Sequence, residues 1–318
     1  MSAYFVKCVV FDVEDTRMQE HVLQLCQHLK REGVEVRMDD LLQTVESEGS
    51  IWVSDNAMHV RKLCGQQKPV VAYLHCGNRD SDFAGVLYAA EQLEELSADY
   101  FDKVYRRYKK IPWEILETSR CLVRETVPED AEAFARIYSD PEITRYTDGF
   151  CQQIECLRKE DCLDENAGSK VGLDKDDWNE ERRTRLAYDS APEREYIKKY
   201  IEKIYEFYGY GIWTVILKAT GEVIGRVGFQ NFAEQSDAKG FPQLGYMIAT
   251  EYQRQGLAQE ICTAVLGYAT EELFFEGVQV VIHEENQASL RLAQKLGFQN
   301  AGSVMKEGGR FSIGVYQR

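Results

Sequence analysis

Gln253-Arg254-Gln255-Gly256-Leu257-Ala258 follows the apolar run Leu244-Gly245-Tyr246-Met247-Ile248-Ala249 and opens a long helical pattern. This is the layout of a strand that ends in a loop and continues into a helix. A glycine in the first helical turn lets an anion approach the main chain, where unpaired N–H groups and the positive end of the helix dipole favour negative charge. Arg254 adds a side-chain charge. The stretch therefore predicts a phosphate-binding loop.

The segments around this loop extend the pattern in a regular order. A strand and a helix are predicted near 118–131, a helix follows Ser190, and residues 211–218 and 222–229 form two strands joined by a tight turn. Downstream, Val278 to Ile282 has the composition of a buried strand, and a helical pattern runs from Glu285 to Phe298. Thr126 and Ser190 each stand where a hydroxyl caps a helix, with proline in the first turn.

Taken together, these pieces resemble the GCN5-related N-acetyltransferases (GNAT), and among them the ribosomal-protein-acetyltransferase-like branch. Gln-x-x-Gly-x-Ala at Gln253 is similar to the family's pyrophosphate loop, and Asn286-x-x-Ser289 with Lys295-Leu296-Gly297-Phe298 is similar to its next helix. The resemblance covers about residues 118 to 318. It implies an α/β fold with a mixed sheet and flanking helices, and acetyl-coenzyme A as co-substrate.

The same resemblance implies which residues hold the coenzyme. The main chain of Met247, Ile248 and Ala249 pairs with the pantetheine arm, and an N–H group near Met247 or Ile248 faces the carbonyl oxygen. The loop and the next helix supply the other expected contacts, which are Arg254, Gln255, Gly256, Leu257, Ala258, Gln259, Asn286 and Ser289.

The residues at the positions of the family's general acid and general base differ in this chain. Ala293 stands where many members have a tyrosine that protonates the leaving thiolate, and Val281 stands where others have a glutamate base. His283 shares a strand face with Val281 and can accept a proton near neutral pH. His283 is therefore the predicted catalytic residue, with Glu284 and Tyr246 as further candidates.

Composition narrows the class of protein. A length of 318 residues predicts two domains, and 44% hydrophobic with 29% charged residues is typical of a globular protein without a membrane-spanning segment. The nine cysteines, scattered over the chain, predict reduced thiols and a cytoplasmic protein. A net charge of −15 argues against nucleic acid and is compatible with a cationic amine acceptor. No membrane partner is expected, and a homodimer is left open.

Residues 1–112 alternate short strands and helices, which predicts a small Rossmann-like, three-layer α/β domain with a parallel sheet. Asp12 follows the first strand and Asp55 the third, so both carboxylates lie at the ligand-binding edge of such a sheet. Phosphatase and phosphoacceptor sites use acids at these positions. Turn chemistry accounts equally for Asp12 and helix capping for Asp55, which predicts a docking, sensing or substrate-covering module.

The second domain, residues 113–318, is interrupted by an acidic insertion at about 150–189. Its cysteines Cys151, Cys156 and Cys162 lack the paired spacing of a zinc site, and residues 164–175 do not follow the calcium-loop pattern. A solvated loop or lid is predicted, and no metal.

The predicted function is transfer of the acetyl group of acetyl-coenzyme A to a primary amine, on a protein N-terminus or a small molecule, by direct attack in a ternary complex. Two alternatives remain open. One is a non-catalytic acyl-coenzyme A sensor with the same fold, suggested by the residues at 281 and 293. The other is a phosphatase or phosphoacceptor activity in the first domain.

Overall fold

The computed structural model divides into two compact units, Met1–Trp113 and Glu114–Arg318. The residues that the structure describes are 4–38, 48–146, 191–230, 240–306 and 309–317.

Unit 1 is built on a parallel sheet. Within the described part of the unit, five strands pair in the order β2-β1-β3-β4-β5, and every pairing is parallel. The strands are β1 Cys8–Asp12, β2 Glu35–Met38, β3 Ser50–Ser54, β4 Val70–Tyr73 and β5 Tyr88–Ala90. β1, β3 and β4 are buried along their whole length, as expected for central strands covered on both faces.

Among the described residues of the unit, three helices cover this sheet: α1 Gln19–Arg31, preceded by a 3₁₀ turn, α2 Ala57–Gly65 and α3 Ala98–Lys109. α1 buries the face carrying Val22, Leu25 and Leu29, because apolar residues recur at helical spacing. Asn56, not Asp55, caps α2, since its side chain accepts the N–H groups of Met58 and His59. The helix-cap prediction for Asp55 is therefore wrong.

The end of unit 1 differs in part from the sequence-based prediction. The sequence pattern of Glu91 to Tyr108 predicts a single helix, but α3 begins only at Ala98 and is preceded by β5 and a 3₁₀ turn. Ser97 caps α3 by accepting the N–H of Tyr100, which sets the starting point of the helix. The short helix predicted at Leu41 to Val45 lies outside the described residues.

Unit 2 contains a larger, mixed sheet. Eight described strands pair in the order β12-β13-β11-β10-β9-β8-β7-β6. They are β6 Glu114–Glu117, β7 Cys121–Arg124, β8 Ile212–Leu217, β9 Glu222–Gln230, β10 Gln243–Ile248, β11 Gly277–His283, β12 Gln299–Lys306 and β13 Gly309–Gln317. Only β10 and β11 pair in parallel among these strands.

The helices of unit 2 pack on both sides of this sheet. They are α4 Ala131–Tyr138, α5 Pro141–Thr144, α6 Ala191–Tyr200, which continues through a π-helical turn to Tyr208, α7 Leu257–Glu271 and α8 Gln287–Lys295. Thr126 does not cap the first of them, because its hydroxyl hydrogen bonds to Ile212 and Thr214. The predicted cap at Ser190 and the insertion at 150–189 lie outside the described residues.

Both units have cores of their own. Trp213, Tyr205, Phe134 and Phe229 are fully buried in unit 2, and Tyr73, Phe11 and Phe101 are fully buried in unit 1. None of the helices in the described ranges is long and apolar enough to cross a membrane.

Candidate active site

The central feature of unit 2 is a gap between two neighbouring strands. β10 pairs with β9 along its whole length, from Gln243 to Ile248, but with β11 only at Gln243 opposite Gln279. Beyond that pair the parallel strands separate. Part of the edge of β10 is therefore open within the sheet, where a ligand can pair with it as an added strand.

The alternation of a strand decides which main-chain groups face the gap. The N–H of Ala249 donates to Ile224 of β9 at 2.8 Å, whereas the carbonyl of Pro242 accepts from Gln279 of β11 at 3.0 Å. The main-chain N–H and C=O groups of successive residues point to opposite edges of a strand. Those of Met247 therefore face β9, like those of Ala249, and those of Tyr246 and Ile248 face the gap. The carbonyl of Ile248 already accepts from the side chain of Gln253 at 2.9 Å. The N–H groups of Tyr246 and Ile248 and the carbonyl of Tyr246 are the groups directed into the gap.

The start of α7 follows directly after this open edge. Gly256 is its N-cap with φ 80°, and no side chain caps the helix. The N–H of Glu260 makes the first helical bond, to the carbonyl of Gly256, whereas those of Leu257, Ala258 and Gln259 find no acceptor in the described part of the chain. Arg254 is also left-handed, at φ 60°. Exposed N–H groups at a helix start and the helix dipole make this a ready anion site.

A second cation stands beside this loop. Arg120, from the turn between β6 and β7, donates to the carbonyl of Gln255 at 2.9 Å and to Glu260 at 2.7 Å. A side chain on Gly256 would have its Cβ 3.6 Å from the guanidinium of Arg120. The positive charge at the loop therefore comes from both Arg254 and Arg120.

Glu260 holds Arg120 in this position. Burial raises the pKa of Glu260, but hydrogen bonds from Thr118, Ser119 and Arg120 outweigh burial and bring the pKa from an ordinary 4.5 to about 2. A lowered pKa means that the carboxylate stabilises the fold above about pH 4.5 and that this contribution disappears as the pH falls towards 2.

We expect Glu260→Gln to lower the free energy of unfolding by about 1 kcal/mol at pH 7, because hydrogen bonds to a charged acceptor are stronger than those to a neutral one. Urea denaturation from pH 7 down to pH 2.5 measures the difference, which should shrink at the acid end. Glu195→Gln, at an exposed position of α6, is the control with no expected effect. A difference that stays constant over the whole pH range would contradict this account of Glu260.

The side chain of Tyr246 extends from β10 to α8. Its hydroxyl donates to Oγ of Ser289 at 2.9 Å. Burial raises the pKa of Tyr246 to about 12, against a smaller lowering by that hydrogen bond. Ser289 and Ala293 lie one turn apart on the same face of α8. A phenol from β10 thus lies beside the helix face where the family places its tyrosine.

Residues 171–299 match the family described as the acetyltransferase (GNAT) domain. Unit 2 therefore contains a GNAT acetyltransferase domain. The uncharacterised N-acetyltransferase YoaA of Bacillus subtilis (strain 168) is 28% identical over 188 residues, 59% of this chain and 84% of that protein. The uncharacterised N-acetyltransferase p20 of Bacillus licheniformis is 23% identical over 189 residues, with the same two coverages. A GNAT-family acetyltransferase structure from Bacillus anthracis has a TM-score of 0.43 at 18% identity, over 64% of this chain and 97% of that one.

The family match and the two relatives agree with the resemblance found in the sequence, and the predicted α/β architecture is confirmed. The GNAT fold is that of acetyl-coenzyme A-dependent acyltransferases, so unit 2 is an acyltransferase domain. None of these matches tests which residues hold the coenzyme and carry out the transfer, and those assignments stay predictions.

The geometry of the GNAT domain narrows the predicted coenzyme contacts. Both main-chain groups of Ala249 are already used, by Ile224 and by Tyr252. The main-chain groups of Met247 face β9 and not the gap. Ile248 therefore keeps its predicted role as a main-chain contact of the coenzyme, and Tyr246 is a further candidate for that role. Asn286 caps α8 by accepting the N–H of Ser289 at 3.1 Å, which occupies its amide oxygen and leaves its NH₂ group for a ligand.

His283 and Glu284 lie together at the other end of the predicted site. Both line a cavity of about 390 Å³ with Arg145, Tyr146, Glu285, Gly309 and Arg310. Nδ1 of His283 accepts the N–H of Glu285 at 3.2 Å, so the neutral ring carries its hydrogen on Nε2. In this arrangement His283 donates rather than accepts, which does not suit a general base. Glu284 is paired with Arg310 at 3.3 Å.

The three predicted catalytic residues therefore do not form one cluster. Tyr246 bonds to Ser289, and it is not among the residues that line the cavity of His283 and Glu284. The sequence does not indicate that Arg120, Ser119 and Glu260 belong to the site, because their contacts join positions about 140 residues apart along the chain. No local pattern indicates such a pairing.

Proposed function

We infer that the GNAT domain transfers the acetyl group of acetyl-coenzyme A to a primary amine, on a protein N-terminus or a small molecule, by direct attack in a ternary complex. The observation that supports this most strongly is the open edge of β10 directly before the uncapped start of α7. An extended pantetheine arm needs an open strand edge to pair with, and a pyrophosphate needs the free N–H groups of an uncapped helix start.

The donor would be bound almost entirely by main-chain groups. The N–H groups of Leu257, Ala258 and Gln259 would hold the pyrophosphate, with Arg254 and Arg120 neutralising its charge. The carbonyl of Tyr246 would accept from the pantetheine amide. The N–H of Ile248 would then face the thioester oxygen, where negative charge develops in the transition state.

Tyr246 is the residue suited to assist the departure of the thiol. Its pKa of about 12 keeps the phenol protonated at neutral pH. A thiol has a pKa of about 8.5, so complete transfer of the phenol proton to a thiolate is uphill. The hydroxyl would instead stabilise the developing thiolate by a hydrogen bond, and the proton that the amine loses would finally reach the sulfur.

The described residues near the end of β11 offer no suitable base, and this favours one kind of amine. Among the described residues near the end of β11, His283 has Nδ1 occupied, Glu284 is paired with Arg310, and Val281 is apolar. An α-amino group, with a pKa of about 8, is about one tenth neutral at pH 7, whereas a lysine amine is neutral in less than one part in a thousand. An α-amine therefore needs no dedicated base.

Thiol release from acetyl-coenzyme A tests the function. Two peptides of one sequence serve as acceptors, one with a free N-terminus and a blocked lysine, the other with the reverse. We expect release with the free α-amine, and kcat/KM that rises about tenfold per pH unit below about pH 8. Tight coenzyme binding without release for any amine would support the non-catalytic sensor instead.

A further inference from the structure

In unit 1, a group of polar side chains meets at the carboxyl edge of the parallel sheet. β1 ends at Asp12 and β3 at Ser54, and these two strands are neighbours. Chain connections leave the sheet in opposite directions here, since β2 lies on one side of β1 and β4 follows β3 on the other. Ligands of open parallel sheets bind in the crevice at such a point.

Three side chains at this edge present metal-ligating atoms to one another. One ligand atom from each of Asp12, Glu14 and His59 lies within 4.8 Å of the other two. Two ligands on opposite sides of an ion at about 2.1 Å are separated by about 4.2 Å, so the three atoms need only small movements to share one ion.

Asp12 is the buried member of the group. Its side chain is only 6% exposed, and Oδ2 takes both of its hydrogen bonds, from Ser54 at 2.7 Å and from Nδ1 of His59 at 2.8 Å. Oδ1 receives no hydrogen bond from any residue that the structure describes. Oδ1 is therefore available as an acceptor for a ligand.

The neighbouring residues orient the other two members. Asn56 donates from Nδ2 to Glu14 at 2.8 Å and caps α2 through its oxygen, which places His59 in the first turn of that helix. Asp55 accepts the main-chain N–H groups of Glu14 and Asp15 at 2.9 and 3.0 Å and so fixes the loop that carries Glu14. Contacts of this kind position the ligands of metal sites.

The other acids at this edge have partners of their own. Asp15 is paired with Arg17, and both oxygens of Asp55 accept main-chain hydrogen bonds. His75 has Nε2 3.3 Å from Asp55 and Nδ1 accepting from Gly77. Among the described acids and histidines at this edge, the open ligand capacity is therefore on Asp12, Glu14 and His59.

The spacing of Asp12 and His59 is compatible with neighbouring positions on a six-coordinate ion. Two ligand atoms 2.8 Å apart on an ion at about 2.1 Å subtend an angle of about 85°. An imidazole ligand favours a first-row transition ion over Mg²⁺ or Ca²⁺.

We propose that unit 1 binds one six-coordinate divalent transition ion, of the Mn²⁺ or Fe²⁺ type, through Asp12, Glu14 and His59. The ion takes the place of the hydrogen that joins Oδ2 of Asp12 to Nδ1 of His59, and the neutral imidazole then carries its hydrogen on Nε2. Water fills the remaining coordination positions. This site is independent of the acetyl transfer proposed for unit 2.

Mn²⁺ tests the proposal, because free Mn²⁺ has an electron paramagnetic resonance signal that is lost on binding. The full chain, stripped of metal by dialysis against chelator, should bind about one Mn²⁺, and a 100-fold excess of Mg²⁺ should not displace it. Glu14→Gln and His59→Gln should each weaken binding at least tenfold. Glu14 is exposed, so its variant leaves the core untouched.

Glu35→Gln is the matched control. Glu35 is an exposed carboxylate of the same sheet, but it lies opposite Cys8, at the other end of β1 from Asp12. Its variant should bind Mn²⁺ like the wild type, and circular dichroism should show that all three variants are folded. Absence of saturable binding up to millimolar Mn²⁺, or unchanged affinity in either Glu14→Gln or His59→Gln, overturns the proposal.

Discussion

Replacing Gly256 by glutamate should raise the dissociation constant for coenzyme A at least 100-fold. The carboxylate would stand among the free N–H groups at the start of α7 and beside Arg120, where the pyrophosphate is proposed to bind. It would compete for these donors and repel the phosphates, and loss of charged hydrogen bonds of about 1.5–3 kcal/mol each is enough for this factor. Isothermal titration calorimetry with coenzyme A measures the change.

The control for this variant is Gly221→Glu. Gly221 has φ 74° against 80° for Gly256, so both substitutions put the same side chain into a left-handed conformation at a cost of about 1–2 kcal/mol. Gly221 belongs to the turn between β8 and β9 and has open space around it. Equal coenzyme affinity in the two variants would mean that the start of α7 does not hold the pyrophosphate.

Replacing Tyr246 by phenylalanine should lower kcat about 100-fold and leave the affinity for acetyl-coenzyme A within a factor of two. The change removes one hydroxyl and keeps the ring, so the packing of β10 against α8 is preserved. A single donor to developing charge in a closed site contributes about this factor. Steady-state rates of thiol release, together with direct titration of the coenzyme, separate the two effects.

Tyr252→Phe is the matched control, because the hydroxyl of Tyr252 bonds to Glu222 and not to α8. It should retain the wild-type kcat. The pKa of about 12 also predicts that ionisation of Tyr246 causes no fall of kcat below about pH 11. Wild-type turnover by Tyr246→Phe would remove this residue from the mechanism and leave the main-chain groups of β10 to act alone.

The parts of the GNAT domain that the sequence predicts are those with a local physical cause. Gly256 is glycine because its φ of 80° is unfavourable for other residues, and this can be read from six adjacent letters. The strands around it follow from short apolar runs. The capping role of Asn286 follows likewise from its place before a helix.

What the sequence does not predict depends on contacts between distant segments. Arg120 reaches the loop only because the turn between β6 and β7 lies beside α7, and β5 is too short to give a clear period. Likewise, no metal is predicted from the sequence, because Asp12, Glu14 and His59 have no recognisable spacing. A parallel sheet brings the ends of β1 and β3 together, and Asn56 then starts α2 so that His59 faces Asp12.

If the pyrophosphate binds at the start of α7 as proposed, the missing side-chain cap of this helix couples the folding of the domain to its donor substrate. A capping side chain would be worth about 1 kcal/mol to the helix, and the free domain does without it. A ligand that binds only the folded state adds about 2.7 kcal/mol when its concentration is 100 times its dissociation constant. The resistance of the domain to heat and proteolysis in the cell would then rise and fall with the concentration of acetyl-coenzyme A. That concentration would determine the lifetime of the enzyme as well as its rate.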